Sequence, residues 1–194
     1  MKFSLNTILA FNQWNKTADN IVPNGVDDLL QKIGAQLGEI DETVDFGTKY
    51  DGVVIVKVVE CVKHPDADKL SLCRVDDGGV VKDVERGEDG LVQVVCGAPN
   101  CREGIMAAWL PPGATVPSSV DDDPFVLEAR ELRGKVSNGM LASPKELDLG
   151  ESHDGILEVD GHIPAGTAFV DAYNLKDDLI IDIENKMFTH RPDP

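Results

Sequence analysis

The chain has 194 residues and a formal net charge of −17, and 42% of its residues are hydrophobic but only 5% aromatic. This length allows one or two domains with a real core, and no apolar run reaches the ~20 residues needed to cross a bilayer. Residues 1–6 carry one charge and no small-residue cleavage site, so no signal peptide is predicted. These features predict a globular protein of the cytoplasm with no membrane partner.

The negative charge is unevenly distributed along the chain. From Gly52 to Leu147 there are 11 basic and 16 acidic residues, a net of −5, whereas the flanks hold 7 basic and 19 acidic residues, a net of −12. Proteins that bind nucleic acid present Lys and Arg to the phosphates. Binding by the central region would therefore require a local basic face, and strong non-specific affinity is not expected.

Residues 1–46 are predicted to be helical. Ser4 is a candidate N-cap for a first helix, and Asn24-Gly25 opens a second helix that stops at Gly38. The apolar residues between these signals recur at helical spacing. Because two short helices bury little surface alone, this segment is expected to dock on another part of the chain.

β structure is predicted from Gly52 onward. Short strands punctuated by Gly, Pro and Asp-rich turns indicate a sandwich or barrel, and about 100 residues suit an OB-fold. The charged connections 82–90 and 118–124 are predicted to be exposed loops. The predicted strands are residues 53–59, 70–75, 80–81, 91–96 and 105–110, followed by 156–159 and 178–184.

The four cysteines, at positions 61, 73, 96 and 101, lack the paired CxxC spacing of a zinc site. Three of them lie in apolar, strand-like runs. They are predicted to be small buried hydrophobic residues, and no metal site is predicted.

The run from His64 to Leu70 combines a turn with flanking cations. The His-Pro pair disfavours helix and predicts a tight turn after the first barrel strand, with His64 as a structural residue. Lys63, Lys69 and Arg74 are candidate phosphate contacts, and the alternative is that they are solvated surface cations. No nucleophile–base pair is suggested by spacing, so no catalytic residue is predicted.

The run from Arg133 to Met140 suits a ligand contact. Arg133 can form a forked contact with a phosphate, and glycines let a backbone approach a ligand closely. Ser137 and Asn138 can hydrogen-bond to phosphate, sugar or base edges. OB-folds bind nucleic acid on one barrel face and its bordering loops, so this run is a candidate binding face. Met140 can equally fill the mouth of the barrel.

Two of these runs, HPDADKL at 64–70 and RGKVSNGM at 133–140, resemble the EMAP-type tRNA-binding module, an OB-fold domain. VCGAPN at 95–100, SPKEL at 143–147 and the RPD ending are more specifically similar to the bacterial phenylalanyl-tRNA synthetase β-subunit. The chain departs from that family at Pro194, where the family usually has Cys. The resemblance implies a mixed, mainly β chain: an OB-fold barrel at 47–155, inserted in a small discontinuous α/β domain made by 1–46 and 156–194.

By resemblance, the parent enzyme joins phenylalanine to its tRNA with ATP and magnesium, as a heterotetramer of two α and two β chains. The chain is expected to be an N-terminal fragment that contacts tRNA and the α-subunit, with no DNA partner, no cofactor and no catalysis of its own. In the tRNA-binding family the RGxxSxGM run lines the RNA face, which implies contacts by Arg133, Ser137 and Met140.

Two other interpretations remain open. A free-standing tRNA-binding module, or the tail of a methionyl-tRNA synthetase, would carry the same barrel but not the flanks. An acidic OB-fold that docks proteins would fit the net charge but not the run at 133–140.

Overall fold

The computed structural model describes residues 1–15, 25–121 and 123–184. The chain divides into two compact units, one made by residues 1–49 and 174–194 and the other by residues 50–173. From the sequence, the second boundary was expected at 155. The segment after 155 belongs to the second unit because a strand at 158–159 joins its sheet and the Phe169 ring lies 5.3 Å from that of Tyr50.

The first unit is a three-stranded antiparallel sheet with helices. Its strands are β1 (Lys2–Ser4), β2 (Glu39–Asp45) and β11 (Leu179–Glu184), in the order β1-β11-β2. Its helices are α1 (Leu5–Asn15), α2 (Val26–Gln36) and α3 (Phe46–Lys49). The prediction that all of 1–46 is helical is therefore wrong at β1 and β2, which form only because both pair with the distant β11.

The predicted helix after Ser4 is confirmed. The Ser4 Oγ accepts a hydrogen bond from the Thr7 N–H at 3.1 Å, as an N-cap does, and donates to the buried Asp178 carboxylate. Helix α2 ends before Gly38, as predicted; a Cβ at Gly38 would lie 2.6 Å from the Glu184 carbonyl oxygen. The predicted start of α2 at Asn24 and the RPD ending lie outside the described residues.

The second unit is built on a six-stranded antiparallel sheet, with a hairpin and a short helix, α4 (Phe169–Ala172). The order along the sheet is β10-β6-β3-β4-β5, and β9 also pairs with β6. The hairpin consists of β7 (Ala129–Leu132) and β8 (Lys135–Asn138). The six strands are β3 (Val54–Lys63), β4 (Ser71–Asp76), β5 (Val92–Cys96), β6 (Met106–Leu110), β9 (Met140–Leu141) and β10 (Glu158–Val159).

Four of the predicted barrel strands are confirmed as β3 to β6, with ends that differ by at most four residues. The predicted strand at 80–81 is wrong, since these residues lie outside any strand. The Val81 N–H instead donates to the buried Asp77 carboxylate at 3.0 Å. The hairpin at 129–138 was not predicted.

Three hydrogen bonds made by side chains join β5 to β8 and close the sheet into an OB-like barrel; we call this junction the seam. The Ser137 Oγ accepts from the Val95 N–H at 2.9 Å. The Gln93 Nε2 donates to the Val136 carbonyl at 2.8 Å, and the Asn138 Nδ2 donates to the Gln93 carbonyl at 3.2 Å. The fold is mainly β, as predicted, and its strand pairs are antiparallel.

The barrel core includes the fully buried Trp109. Its indole Nε1 donates to the Asn138 carbonyl at 2.9 Å, so the largest core residue also supports the seam. Such a partner is usual for a buried indole, whose unpaired N–H would be costly. Within the described residues, no helix is both long and apolar enough to span a membrane.

Asp77 and Arg86 hold the charged loop between β4 and β5. The Asp77 carboxylate is fully buried and accepts two hydrogen bonds from the Arg86 guanidinium, at 2.6 and 2.8 Å. Burial alone would raise the pKa of Asp77, but the bonds from Arg86 and from the Val81 and Gly79 N–H groups lower it to about 2. The loop is exposed over most of its length, as predicted, but Arg86 near its centre is half-buried and bound to Asp77.

Candidate nucleic-acid interface

The run from His64 to Leu70 closes on itself as a compact loop. The His64 N–H donates to the Leu70 carbonyl at 2.9 Å, and the Asp66 N–H donates to the His64 Nδ1 at 3.1 Å. His64 is buried, and its Nε2 lies 3.3 Å from the Leu132 carbonyl oxygen. The predicted structural role of His64 is confirmed, and this ring connects the loop to the hairpin of β7 and β8.

Arg133 and Gly134 form the two-residue turn of that hairpin. Both have positive φ, 52° and 78°, and Leu132 pairs with Lys135. This is the geometry of a type I′ turn, which favours Gly because both central residues must adopt φ > 0. The glycine at 134 therefore serves the turn, and the turn projects the Arg133 side chain into solvent.

We call the segments 63–70 and 132–135 the rim, because the contact between His64 and Leu132 brings them together at one end of the barrel. Lys63, Lys69 and Arg133 are all exposed on it. Lys63 and Arg133 are each adjacent in sequence to one member of that contact. Asp66 and Asp68 are exposed in the same loop, so the rim carries charges of both signs.

Arg74 lies away from the rim. On β4, Arg74 pairs with Glu60 of β3. Lys63 of β3 pairs instead with Ser71, which is three residues from Arg74 along β4. The Arg74 guanidinium forms an ion pair with Asp89. Arg74 also lines a cavity of about 230 Å³, together with Arg86, Gln93 and Asn138. A phosphate would have to compete with the Asp89 carboxylate for Arg74.

Ser137 and Asn138 are buried, with 3% and 4% of their surfaces exposed. The Ser137 hydroxyl accepts from Val95 and donates to the Gly139 carbonyl at 2.9 Å, so its hydrogen-bonding capacity serves the seam. A Cβ at Gly139 would lie 2.0 Å from the Leu110 carbonyl oxygen. The close approach that this glycine permits is to the protein's own backbone. The hydrogen bonds found for Ser137 and Asn138 are thus structural ones.

A groove of about 430 Å³ runs from the rim along the hairpin and includes the half-buried Met140. Its walls are the end of β5, the hairpin and the segment 143–156. Leu70 and Leu132 connect it to the rim. Other lining residues are Gly97, Ala98, Pro99, Phe125, Arg130, His153 and Ile156.

Arg130 and Phe125 are the groove residues that sequence reasoning missed. Both are exposed, and they offer a cation for phosphate and a ring on which a base can stack. Arg130 pairs with Ser137 in the hairpin. An Arg-Gly pair flanked by residues able to form strands was the signal that would have placed 129–132 opposite 135–138.

Two further motifs have structural roles in the groove wall. The Asn100 side chain accepts from the Ile156 N–H and donates to the Ile156 carbonyl, both at 2.9 Å, as a strand partner would. The Glu146 carboxylate accepts from the Ser143 N–H at 2.6 Å, and the Ser143 Oγ accepts from the Glu146 N–H at 3.4 Å, which is the reciprocal pattern of a capping box. Asn100 of VCGAPN therefore holds the end of the 143–156 segment against the loop after β5, and SPKEL stabilises the turn within that segment.

Residues 53–168 match the family described as "Putative tRNA binding domain". The chain is 40% identical over 158 residues to the phenylalanine–tRNA ligase beta subunit of Rhodospirillum rubrum, covering 81% of this chain and 18% of the relative. It is 36% identical over 193 residues to that of Desulfotalea psychrophila, covering 100% and 21%. The chain thus spans about a fifth of the length of these curated relatives. A solved MetRS related protein from Pyrococcus horikoshii covers 59% of this chain and 84% of its own, at 20% identity and a TM-score of 0.38.

Proposed function

We propose a tRNA-binding function for this chain, which belongs to the tRNA-binding domain family matched by its residues 53–168. Along its whole length it is also related to phenylalanine–tRNA ligase beta subunits. The barrel is proposed to be a tRNA-contacting region of such a subunit. The observation that carries this proposal is the rim, where Lys63, Lys69 and Arg133 are exposed together beside an open groove.

Phosphate contacts at the rim would position tRNA without reading its sequence. The rim cations are few and the chain carries 35 acidic residues, so the affinity should be modest and strongly dependent on salt. Arg130 and Phe125 extend the surface into the groove, which has room for a splayed nucleotide. Ser137 and Asn138 support this surface through the seam, while Met140 forms part of the groove wall.

The parent assembly is a wider proposal. In a complete ligase, this region would work with an α-subunit in an α2β2 assembly, and ATP and magnesium would act at a site outside this chain. The region itself is proposed to be non-catalytic and to work in the cytoplasm. The match over all of 193 residues, including the first unit, favours this setting over a free-standing tRNA-binding module.

Binding of the 194-residue chain to tRNA across a salt series tests the proposal. The log of the affinity should fall with the log of the salt concentration, with a slope of about −2 to −3 for a few phosphates. Lys69→Ala with Arg133→Asn should weaken binding about tenfold and make the slope shallower by about 2. Asn is chosen at 133 because it tolerates the positive φ of the turn.

The matched control is Lys57→Ala with Lys82→Ala. These exposed cations give the same change of charge, and Lys57 lies six residues, or about 20 Å, from Lys63 along β3. Equal losses in both double variants would show that net charge alone governs affinity and would contradict the rim. Absence of binding at low salt would contradict a tRNA contact and favour the acidic protein-docking alternative.

A further inference from the structure

Three of the four cysteines meet at one point of the barrel unit. The sulfur of Cys73 lies 3.6 Å from that of Cys61 and 3.4 Å from that of Cys101, and the sulfurs of Cys61 and Cys101 are 3.9 Å apart. The three residues come from β3, from β4 and from the loop after β5, so their spacing along the chain gave no sign of this cluster.

A β-bulge aims Cys61 into the cluster. Before the bulge, between Val58 and Glu60, the β3 residues of the barrel core cluster are Val54, Val56 and Val58, at even positions; after it, Cys61 packs against the same cluster from an odd position. Cys61 therefore pairs directly with Cys73 on the core face of the sheet. Bulges re-aim side chains in this way next to functional sites.

The separations of the sulfurs match a tetrahedral metal site. With Zn–S bonds of about 2.3 Å, tetrahedral geometry places sulfur atoms roughly 3.8 Å apart, and the observed edges are 3.4, 3.6 and 3.9 Å. Thiols in simple contact reach similar distances in pairs. A closed triangle of three sulfurs, supplied by three separate segments, is the further feature that a metal ion requires.

The cluster is not fully enclosed by the barrel. Cys73 is buried, whereas Cys61 and Cys101 are half-buried and give the cluster a side towards solvent. The Arg102 guanidinium, which follows Cys101, donates two hydrogen bonds to the Glu158 carboxylate, both at 2.8 Å. Cys96, the remaining cysteine, is buried, and its thiol hydrogen-bonds with that of Cys101.

We propose that Cys61, Cys73 and Cys101 form a three-thiolate site for a soft divalent cation of the zinc class, with a water or other small ligand in the fourth position. Thiolates select such ions over magnesium or calcium. A bound ion would join β3, β4 and the 97–101 loop at one point. This proposal departs from the expectation of no metal site and is independent of the tRNA-binding function.

Cobalt(II) and zinc(II) titrations of the reduced, chelator-treated 194-residue chain test the site. One equivalent of cobalt should give thiolate-to-cobalt charge transfer and the intense visible bands of tetrahedral coordination, and zinc should displace it. Cys61→Ser and Cys101→Ser should each weaken zinc binding at least tenfold, measured by competition with a chromophoric chelator. Zinc should also raise the melting temperature of the native sequence, because it binds the folded form.

Cys96→Ser tests the fourth position, since the Cys96 thiol hydrogen-bonds with that of Cys101 but lies outside the triangle. Zinc affinity should stay within about threefold, and a loss equal to those of Cys61→Ser and Cys101→Ser would overturn the assignment of a water or small ligand to that position. Circular dichroism of the metal-free variants checks folding. The half-buried positions 61 and 101 keep the test valid even where Cys73→Ser, at a fully buried position, fails to fold. Absence of tetrahedral cobalt bands, or equal zinc affinity in Cys61→Ser and the native sequence, would overturn the proposal.

Discussion

The seam and the rim of the barrel use polar residues in opposite ways, although both draw on residues 133–140. At the seam, Ser137 and Asn138 are buried and their side chains hydrogen-bond to strand β5. At the rim, four residues earlier, Arg133 is exposed at the tip of a tight turn. One motif therefore contains a part that closes the fold and a part that is available to a ligand.

Resemblance to a binding motif therefore does not assign a binding role to each residue of the motif. A buried hydroxyl whose donor and acceptor are both used, like that of Ser137, has little left for a ligand. An exposed cation costs little to keep free for a phosphate. Substitutions at the seam should change stability, and substitutions at the rim should change affinity.

Gly139→Ala is expected to have the largest effect and tests the close approach of the residue that follows β8 to strand β6. The new Cβ would lie 2.0 Å from the Leu110 carbonyl oxygen, with φ at 78°. Overlap with backbone atoms cannot be relieved by a side-chain rotation, so the free energy of unfolding should fall by about 4 kcal/mol or more. Urea unfolding followed by circular dichroism measures this loss.

Gly134→Ala is the matched control for that substitution. Gly134 has the same φ of 78°, but a Cβ added there would meet no atom within 4 Å. Only the backbone strain remains, which should cost about 1 kcal/mol. Equal losses at 134 and 139 would mean that the close approach of Gly139 to Leu110 does not contribute to stability.

Ser137→Ala is expected to have the next largest effect. It leaves the buried Val95 N–H and the Gly139 carbonyl without the hydroxyl partner. The free energy of unfolding should fall by about 2 to 3 kcal/mol, while tRNA affinity measured well below the melting temperature should stay within about twofold. Ser118→Ala removes an exposed hydroxyl and is the control. A large loss of affinity with unchanged stability would move Ser137 from the seam to the binding surface.

Most of the barrel strands were predictable because β-branched runs bounded by Gly, Pro and Asp are a local signal. The strands β1 and β2 were not, since their partner β11 lies more than 130 residues away along the chain. The exposed cations Lys63, Lys69 and Arg133 were found from the sequence. The burial of Ser137 was not, because it depends on how β8 meets β5, and the meeting of three cysteines depends on a bulge in β3.

The pair of Asp77 and Arg86 offers a second comparison, between buried charges and the exposed charges of the rim. The pKa of Asp77, about 2 in the folded chain, is below its ordinary value of 3.8. A lowered carboxyl pKa stabilises the fold above about pH 4, and this contribution, about 2 kcal/mol, is lost as the pH falls towards 2. Urea unfolding between pH 2 and 6 should show this loss.

Asp77→Asn should lower stability at neutral pH and flatten the pH dependence between about pH 4 and 2, because the titrating carboxyl is gone. Asp76→Asn keeps the pair between Asp77 and Arg86 and serves as the control. An unchanged pH profile in Asp77→Asn would mean that other carboxyls dominate acid unfolding.

Lys63→Ala should have the smallest effect and isolates the rim. Its side chain is exposed at the end of β3, so the free energy of unfolding should change by less than about 0.5 kcal/mol. Loss of one phosphate contact should weaken tRNA binding by a few-fold for any tRNA sequence and make the salt slope shallower by about 1. Lys57→Ala, on the same strand but far from the rim, should leave the slope unchanged. Because net charge falls equally in both variants, a difference in slope can come only from where the charge lies, and equal slopes would remove Lys63 from the interface.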